Sequence, residues 1–401
     1  MPTKDDKQRQ QRTINNANKG QQTILSISMK KQTLLDFIRP FPAKPKRASS
    51  LWSFGSMKTL LSALFLCLVI SMTAQEKRYA MYAVGFYNLE NLFDTCHDEG
   101  KRDYDFLPTG SYKWNGLKYS HKLHNMARVL SEMATDRLPK GCAAIGVSEV
   151  ENARALTDLC SQPALAERGM RFIHREGVDK RGVDCGLLYN PSLFEADTTR
   201  TMLYPYEDAD TTFKTRGFLT VFGKIAGDDV CIIVTHLPSR LRPGDAKRVA
   251  GAEQITAIMN KIREEEPGMK FIVMGDMNDD PTDRSMTEGL RGKEKIDDVG
   301  EGDMFNPWIS ILKSGTGTLR YDGQWNLFDQ ILVSPEFLNY NGKRDFTTLK
   351  YFKQQIFRRD YLFQTEGKYK GNPKRTHAGG QWLDGFSDHL PTVIYLVKEA
   401  Q

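Results

Sequence analysis

The chain contains no CxxC pair and no internal repeat at a fixed period. It also has no apolar run approaching the roughly 20 residues that a transmembrane helix needs. The first absence argues against a cysteine-based zinc site, and the second leaves no repeat architecture to consider. The longest membrane-like stretch runs for eleven residues, from Leu60 to Ile70, and is too short to span comfortably. A strongly charged body is lacking as well. The net charge of +6 lies in the N-terminal tail: residues 1–56 carry +8, which leaves −2 for residues 57–401. The overall basic balance is therefore no evidence for nucleic-acid binding by the folded part.

What stands at the N-terminus has a layout of its own. Residues 1–56 are rich in Lys, Gln, Asn and Arg without sustained apolar periodicity, the composition of a disordered extension. Then comes MKTLLSALFLCLVISMTAQEKRYA: Lys58 after Met57, the apolar core 60–70, and small residues before Gln75. This is the pattern of a signal peptide at 57–74. It predicts an exported protein, periplasmic or secreted, that keeps no stable membrane anchor once the signal is removed. Residues 1–56 then lie upstream of the natural start and outside the native mature protein. The other reading is a basic cytoplasmic tail on a signal anchor. Removing the signal leaves Cys96, Cys142, Cys160, Cys185 and Cys231. An odd number in an exported chain leaves at least one unpaired thiol or an intermolecular bond. Cys142, Cys185 and Cys231 sit in or beside apolar runs, where small buried thiols are expected.

The 401 residues suffice for one large or two ordinary domains. From Tyr79 onward, short apolar runs predict strands at 80–87, 143–147, 172–174, 185–189, 219–225, 230–235, 271–274, 327–333 and 392–397. Helical spacing predicts helices over 117–134 and 246–265, the second stopped by Pro267-Gly268. So many strands for two strong helices suggest two packed sheets covered by helices. Residues 341–384 read as a long polar insertion, either functional or mobile.

Polar residues gather at the strand ends. FYNLEN places Asn88 and Glu90 two apart, on one face if the strand continues. AIGVSEVEN carries Glu149, IIVTHLPSR carries His236 and Arg240, and FIVMGDMNDDP carries Asp276 and Asn278. WNLFDQILVS sets Asp329 in an apolar strand, where an uncompensated acid is costly. SDHLP sets Asp388 beside His389 at the entrance to the last strand. Taken singly, Asn88, Asp276 and Asn278 fit turns, and His236 fits a satisfied core or surface histidine. Six such coincidences together are the ingredients of hard-cation binding and phosphoester hydrolysis.

FYNLEN, SEVEN, THLPSR, GDMND, FDQIL and SDHLP occur in the order that marks the endonuclease/exonuclease/phosphatase superfamily, with its deoxyribonuclease-like fold. Residues 82–396 resemble it, as an exported bacterial-type member with one catalytic domain at 75–401. The resemblance implies a four-layer α/β-sandwich of two mixed, mostly antiparallel sheets packed face to face, with the site at their shared edge. It implies a metal-dependent phosphoric ester hydrolase using Mg²⁺, with Mn²⁺ as a substitute. Glu149 is the principal metal ligand in this reading, with Asp388 on the same cation or close to it. Glu90 stands where some members have a second metal ligand and others a glutamine. Asn88 and Asn278 hold the phosphate. Asp276 orients the attacking water, takes its proton or binds a second cation, and the resemblance leaves these roles open. His389 faces the phosphate with Asp329 behind it to fix the tautomer. His236 donates to the leaving oxygen or a phosphate oxygen, and Asp184 in GVDCGLLYN stands near the family's corresponding acid. Arg240 and Arg248 are candidate phosphate contacts, since guanidinium forks suit that geometry. Arg248 reads equally well as a solvated helix residue.

Fold does not choose the substrate. Inositol phosphatases of this family carry Asn-Tyr-Arg after Gly-Asp-Leu, from which GDMNDDP departs. A sphingomyelinase needs an exposed apolar loop, for which NPWISIL around Trp308 is the one candidate, and it reads equally as core. An exported nuclease acting on nucleic acid is the first reading, with Lys368, Lys370, Lys374 and Arg375 of the insertion as local phosphate contacts. The alternatives are a phosphoesterase on lipid head groups or inositol phosphates, and a binding protein with a dead site. The intact acids and histidines argue against the last. N-terminal sequencing of the native mature protein is expected to begin near Gln75; a mature form retaining residues 1–56 would overturn the signal assignment.

Overall fold

The computed structural model describes residues 77–400, apart from 209, 211 and 241–244. The predicted extension and signal peptide lie outside the described residues. The chain runs β1 (Tyr79–Leu92), α1 (Gly116–Glu132), β2 (Ala144–Val150), α2 (Ala153–Cys160) and α3 (Pro163–Ala166). Next come β3 (Arg171–His174), β4 (Asp184–Tyr189), β5 (Phe194–Tyr204), β6 (Phe218–Ile225) and β7 (Asp228–His236). α4 (Asp245–Glu265), β8 (Lys270–Asp276), β9 (Gly292–Lys293), β10 (Met304–Phe305) and α5 (Trp308–Lys313) follow. The last elements are β11 (Leu319–Tyr321), β12 (Gln324–Asn326), β13 (Asp329–Val333), β14 (Lys350–Ile356), β15 (His377–Ala378), β16 (Gln381–Trp382) and β17 (Thr392–Glu399).

Two sheets carry the fold. One has the order β14-β17-β1-β2-β4-β3, the other β5-β6-β7-β8-β13-β10-β9. Both are mixed: β1 pairs parallel with β2, and β7 with β8, while their other neighbours run antiparallel. Alternation along each strand builds the layers. In β7, Val230, Ile232 and Val234 enter the core shared by the two sheets, while Cys231 and Ile233 face α4. In β8, Ile272 and Met274 turn inward and Phe271 and Val273 turn toward the same helix. α4 meets them with Ile255, Met259 and Ile262, its buried stripe. On the far side of the first sheet, α1 lays down Leu123, Met126 and Leu130 at the spacing of one helix face. Asn115 caps this helix, its side chain accepting from the Lys118 amide. The predicted four-layer sandwich is the observed one.

The sheets approach closely at Gly146, where a Cβ would lie 2.4 Å from Met274 Sδ, so a larger residue there would force the buried Met274 side chain to shift. All nine predicted strands are present. The reading missed β5, whose middle is polar and half exposed, and β14, which lies inside the supposed insertion and forms the edge of the first sheet. All five described cysteines are unpaired, with Cys142, Cys185 and Cys231 buried as expected.

Among the described residues no helix is long and apolar enough to cross a membrane. Trp308 is fully buried and its indole Nε1 donates to Ile331 O at 2.9 Å, so NPWISIL is core, not a membrane-seeking loop. Trp308→Ala is expected to lower the unfolding free energy by about 3–5 kcal/mol, read by urea denaturation. A change under ~1 kcal/mol would contradict this burial.

Candidate active site

The register of the second sheet aligns three of the expected residues in one row. His236 ends β7 opposite Asp276, which ends β8, and Asp276 is opposite Asp329, which opens β13. The first sheet brings Asn88 of β1 opposite Ser148 of β2, with Glu149 next along. The site thus forms where the ends of both sheets meet. Local backbone departs from regular strand there: β1 and β2 shift register between Asn88 and Leu92, and Glu90, Asn91, Glu149 and Asn278 all have positive φ, from 45° to 58°. Non-glycine residues held in that region cost free energy and cluster where function demands it.

Asn88 is buried between the sheets. Its Nδ2 donates to Glu149 Oε1 at 3.2 Å and to Asp276 Oδ2 at 2.9 Å, and its Oδ1 accepts from the Glu90 amide at 2.8 Å. Expected on the phosphate, Asn88 instead spends both amide hydrogens tying two carboxylates together. The Asn91 amide donates to Glu149 Oε2 at 3.0 Å, which fixes the other oxygen of that carboxylate. Around Asp276 Oδ2 stand two imidazoles, with His236 Nε2 at 3.6 Å and His389 Nε2 at 3.7 Å. His236 Nε2 also lies 3.9 Å from Glu149 Oε1.

His389 and Asp329 form the expected dyad, Nδ1 to Oδ2 at 2.7 Å, with Asp329 fully buried. Burial opposes a charged imidazole, but Asp329 and Asp276 outweigh it and hold the His389 pKa well above the usual histidine value. Ser387 plays the modest turn role its residue type suggests: its Oγ accepts from the His389 amide at 3.1 Å and donates to Asn88 O at 2.8 Å. That pins the Asp388-His389 turn onto β1. His236 differs from its partner histidine. Burial, then the Arg216 and Arg181 guanidinium groups, hold its pKa well below the usual value. Asp184 is not its partner: that carboxylate accepts from the Gly177 amide at 3.1 Å and lies 3.2 Å from His174 Nε2. His236 Nδ1 is buried with no protein partner.

Glu149, His236 and Asp276 each offer a ligand atom, all within 4.8 Å of one another. Glu149 alone of the three is appreciably exposed, its side chain 22% accessible. The two carboxylate oxygens, with the His236 imidazole beside them, suit a hard divalent cation reached from solvent on the Glu149 side. Burial, partly offset by His389 and reinforced by Asp329 and Glu149, raises the Asp276 pKa. Positive charge at this point relieves that cost.

The remaining assignments fall elsewhere. Glu90 does not share the face of Asn88, because the left-handed turn at Glu90 and Asn91 breaks the two-residue alternation. Its Oε2 accepts from the Thr376 amide at 2.6 Å, and its Oε1 accepts from Arg375 Nε at 3.2 Å. Asp388 Oδ2 accepts from Arg375 Nη2 at 2.9 Å. Asn278 gives one amide hydrogen to Leu237 O at 2.9 Å, and its backbone amide donates to Asp276 Oδ1 at 2.9 Å. Arg248 is neither a solvated residue nor a free phosphate arm: it is buried, with Nε 2.8 Å from Asp279 Oδ1. Arg240 is likewise committed, donating to Asn278 O at 2.9 Å and to Asp279 at 3.2 Å, with Asp280 and Asp283 on its Nη2. The two arginines brace the GDMNDD loop. Sequence reasoning missed Lys122, a buried lysine on α1 whose Nζ donates to Thr376 Oγ1 and Phe386 O, both at 2.6 Å. Its only signal was a cation on the apolar stripe of a helix.

The family model for Endonuclease/Exonuclease/phosphatase proteins matches residues 83–398. The chain belongs to this family. Its members are phosphoric ester hydrolases that generally depend on a divalent metal, so the chain is a phosphoric ester hydrolase. No protein of the curated set matches the sequence. In structure the chain is similar to ANGEL2, a 2',3'-cyclic phosphatase, with a TM-score of 0.54 and 13% identity over 81% of this chain and 98% of that one. That likeness shows the shared fold. Two further similar structures are a mannosyl-6-phosphatase of Bacteroides thetaiotaomicron VPI-5482 and D. rerio TDP2 complexed with single-strand DNA product. The first has a TM-score of 0.49 and 15% identity, covering 79% of this chain and 99% of that one. The second has a TM-score of 0.45 and 14% identity, with the same coverage.

Because Asp329 is hydrogen-bonded to His389 Nδ1, losses of activity at the two positions are expected not to add. His389→Ala is expected to lower the rate at least ~10²-fold, and Asp329→Asn by a comparable or smaller factor. The double variant should be scarcely slower than His389→Ala. Multiplicative losses, measured per folded molecule, would mean that Asp329 serves the strand rather than the chemistry.

Proposed function

We propose that this protein is a Mg²⁺-dependent phosphodiesterase whose substrate is nucleic acid. The observation that carries the reading is the convergence of two imidazole Nε2 atoms, from His236 and His389, on the same oxygen of Asp276, with Glu149 beside them. Glu149 is the principal holder of the cation, with Asp276 supplying a second oxygen. When bound, the cation draws charge from the phosphate oxygens and makes a coordinated water more acidic. The protein's own residues do the rest. Asn88 keeps the two carboxylates at a fixed separation. His389, its Nδ1 fixed on Asp329, presents Nε2 to one flank of a phosphate seated beside Asp276, and His236 presents Nε2 to the other. Preorganised donors of this kind stabilise charge as it develops on a phosphoryl group.

A diester rather than a monoester suits a site with one cation and two imidazole donors, because less charge needs neutralising. Although the body is mildly acidic, Lys368 and Lys370, both exposed, and Lys374 lie in the segment that leads into the Asp388-His389 turn. Cations there favour a polyanion whose neighbouring phosphates extend beyond the site. The departure of GDMNDDP from the inositol-phosphatase pattern and the burial of Trp308 both lower the standing of the other substrates.

Hydrolysis of DNA or RNA should require Mg²⁺ or Mn²⁺ and cease with EDTA. Glu149→Ala should lose at least ~10²-fold in rate while remaining folded by circular dichroism. Nucleic acids should be cleaved faster than sphingomyelin or inositol phosphates, and the reverse ranking would move the substrate to another class.

A further inference from the structure

β7, which ends in His236, and β13, which opens at Asp329, lie on opposite sides of β8, so the row of site residues has an outer flank beyond His236. Arg216 fills that flank. It precedes β6, the next strand out, and its buried guanidinium donates from Nη2 to Leu237 O at 3.1 Å, on the residue after His236. Its Nη1 donates to Asp179 Oδ2 at 3.2 Å. Asp179 in turn holds Arg181, with Oδ1 accepting from Nε at 3.2 Å and Oδ2 accepting from Nη2 at 2.9 Å. One buried carboxylate thus ties two guanidinium groups to the backbone beside His236.

Two cations on one acid leave a positive charge over. The Arg216 side chain is 4% exposed and that of Arg181 58%, so the surplus faces water at Arg181. Arg240 and Arg248 differ, because Asp279, Asp280 and Asp283 together outnumber them. The Arg181 fork is also fixed in place. Its backbone amide donates to Asp179 Oδ1 at 2.9 Å, the Gly182 amide donates to Asp179 O at 3.1 Å, and the Arg102 amide donates to Lys180 O at 2.7 Å. Gly182 turns the chain at a φ of 77°, which glycine adopts without steric cost. With Nε and Nη2 on Asp179, Nη1 has no protein partner among the described residues. Burial opposes the Arg181 charge, but Asp179 and then Glu149 outweigh it and hold the pKa above the usual arginine value. Glu149 is therefore within electrostatic reach of this guanidinium.

We propose that Arg181 binds the phosphate next to the scissile one along a nucleic-acid strand, on the His236 side of the site. This rests on the nucleic-acid reading above and specifies how a strand, rather than a single phosphoester, is recognised. The scissile position already has the His236 and His389 imidazoles on its two flanks, and Arg181 is set outward from His236 by Arg216 and Asp179. A strand carries a further phosphate at such a step, whereas a substrate with one phosphorus has nothing to offer there. A guanidinium anchored along one edge loses little freedom when its other edge meets a phosphate oxygen, and the bond is charge-assisted. Lys368, Lys370 and Lys374 belong to the His389 side, so a strand crossing the site meets cations in both directions.

The test compares decathymidylate with the para-nitrophenyl diester of thymidylate, which has a single phosphorus, in the presence of Mg²⁺. Arg181→Ala and Arg181→Gln should each lose at least ~10-fold in kcat/KM on decathymidylate and less than ~3-fold on the single-phosphorus ester. On decathymidylate the slope of log kcat/KM against log salt should fall in magnitude by about 0.7, as for one phosphate contact to a single strand, and Arg181→Lys should keep the wild-type slope. Thermal unfolding checks that each variant is folded, and the Gln variant carries the test if the Ala variant is not. Losses of equal size on the two substrates, or an unchanged salt slope in folded Arg181→Gln, would overturn the proposal and leave nucleic-acid hydrolysis standing. A wild type that hydrolyses other phosphoesters but no nucleic acid would overturn the functional reading, and the role of Arg181 with it.

Discussion

Everything at the catalytic edge depends on one constraint: carboxylates from two different sheets converge on a small, mostly buried volume and must not repel each other apart. Asn88 is the piece that meets it. Its single amide group reaches Glu149 on the first sheet and Asp276 on the second, so it is at once a hydrogen-bond clamp and a spacer. A neutral amide suits this position better than a lysine would, because it satisfies both acids without cancelling the negative charge that recruits a cation. The rest of the charge is balanced in pieces, with His389 against Asp329 and Asp276, and Arg375 against Glu90 and Asp388.

The same logic explains where the arginines went. An unpaired charge is costly to bury, and the GDMNDD loop carries Asp279 and Asp280 close to Asp276 of the candidate site. Arg248 from α4 and Arg240 from the loop after β7 neutralise that patch. Sequence reasoning read them as substrate contacts because an arginine beside a phosphate-hydrolysing motif suits a phosphate. The fold used them to hold the motif still. Gln330 joins this bracing, donating to Asp279 O at 2.8 Å from within β13.

The supposed polar insertion is integral to the enzyme. It gives the first sheet its edge strand β14, then returns as a loop that lays Arg375 and Thr376 over Glu90. Its polarity is that of an edge strand and a site wall, both of which face water on one side. Pattern reading cannot separate those cases from a solvated loop, since both lack a continuous apolar face. The half-exposed β5 escaped notice for the same reason. The buried strands were legible because their apolar runs and two-residue alternation leave little else for them to be.

By itself the sequence determined the family, the two-sheet sandwich and most of the residues that the fold gathers at the candidate site, because those are written in short contiguous motifs at strand ends. The Asp329–His389 pair was also readable, since an acid in an apolar strand demands a compensating group and SDH supplies one. What only the tertiary structure decided is which side chains meet. Left-handed backbone at Glu90 and Asn91 turned Glu90 away from Asn88 and toward Arg375, a residue 285 positions distant. Asp184 went to His174 rather than to His236, and Lys122 came up beneath Thr376. These outcomes depend on a local φ and on the register of the sheets, and neither is encoded in residue type at the position concerned.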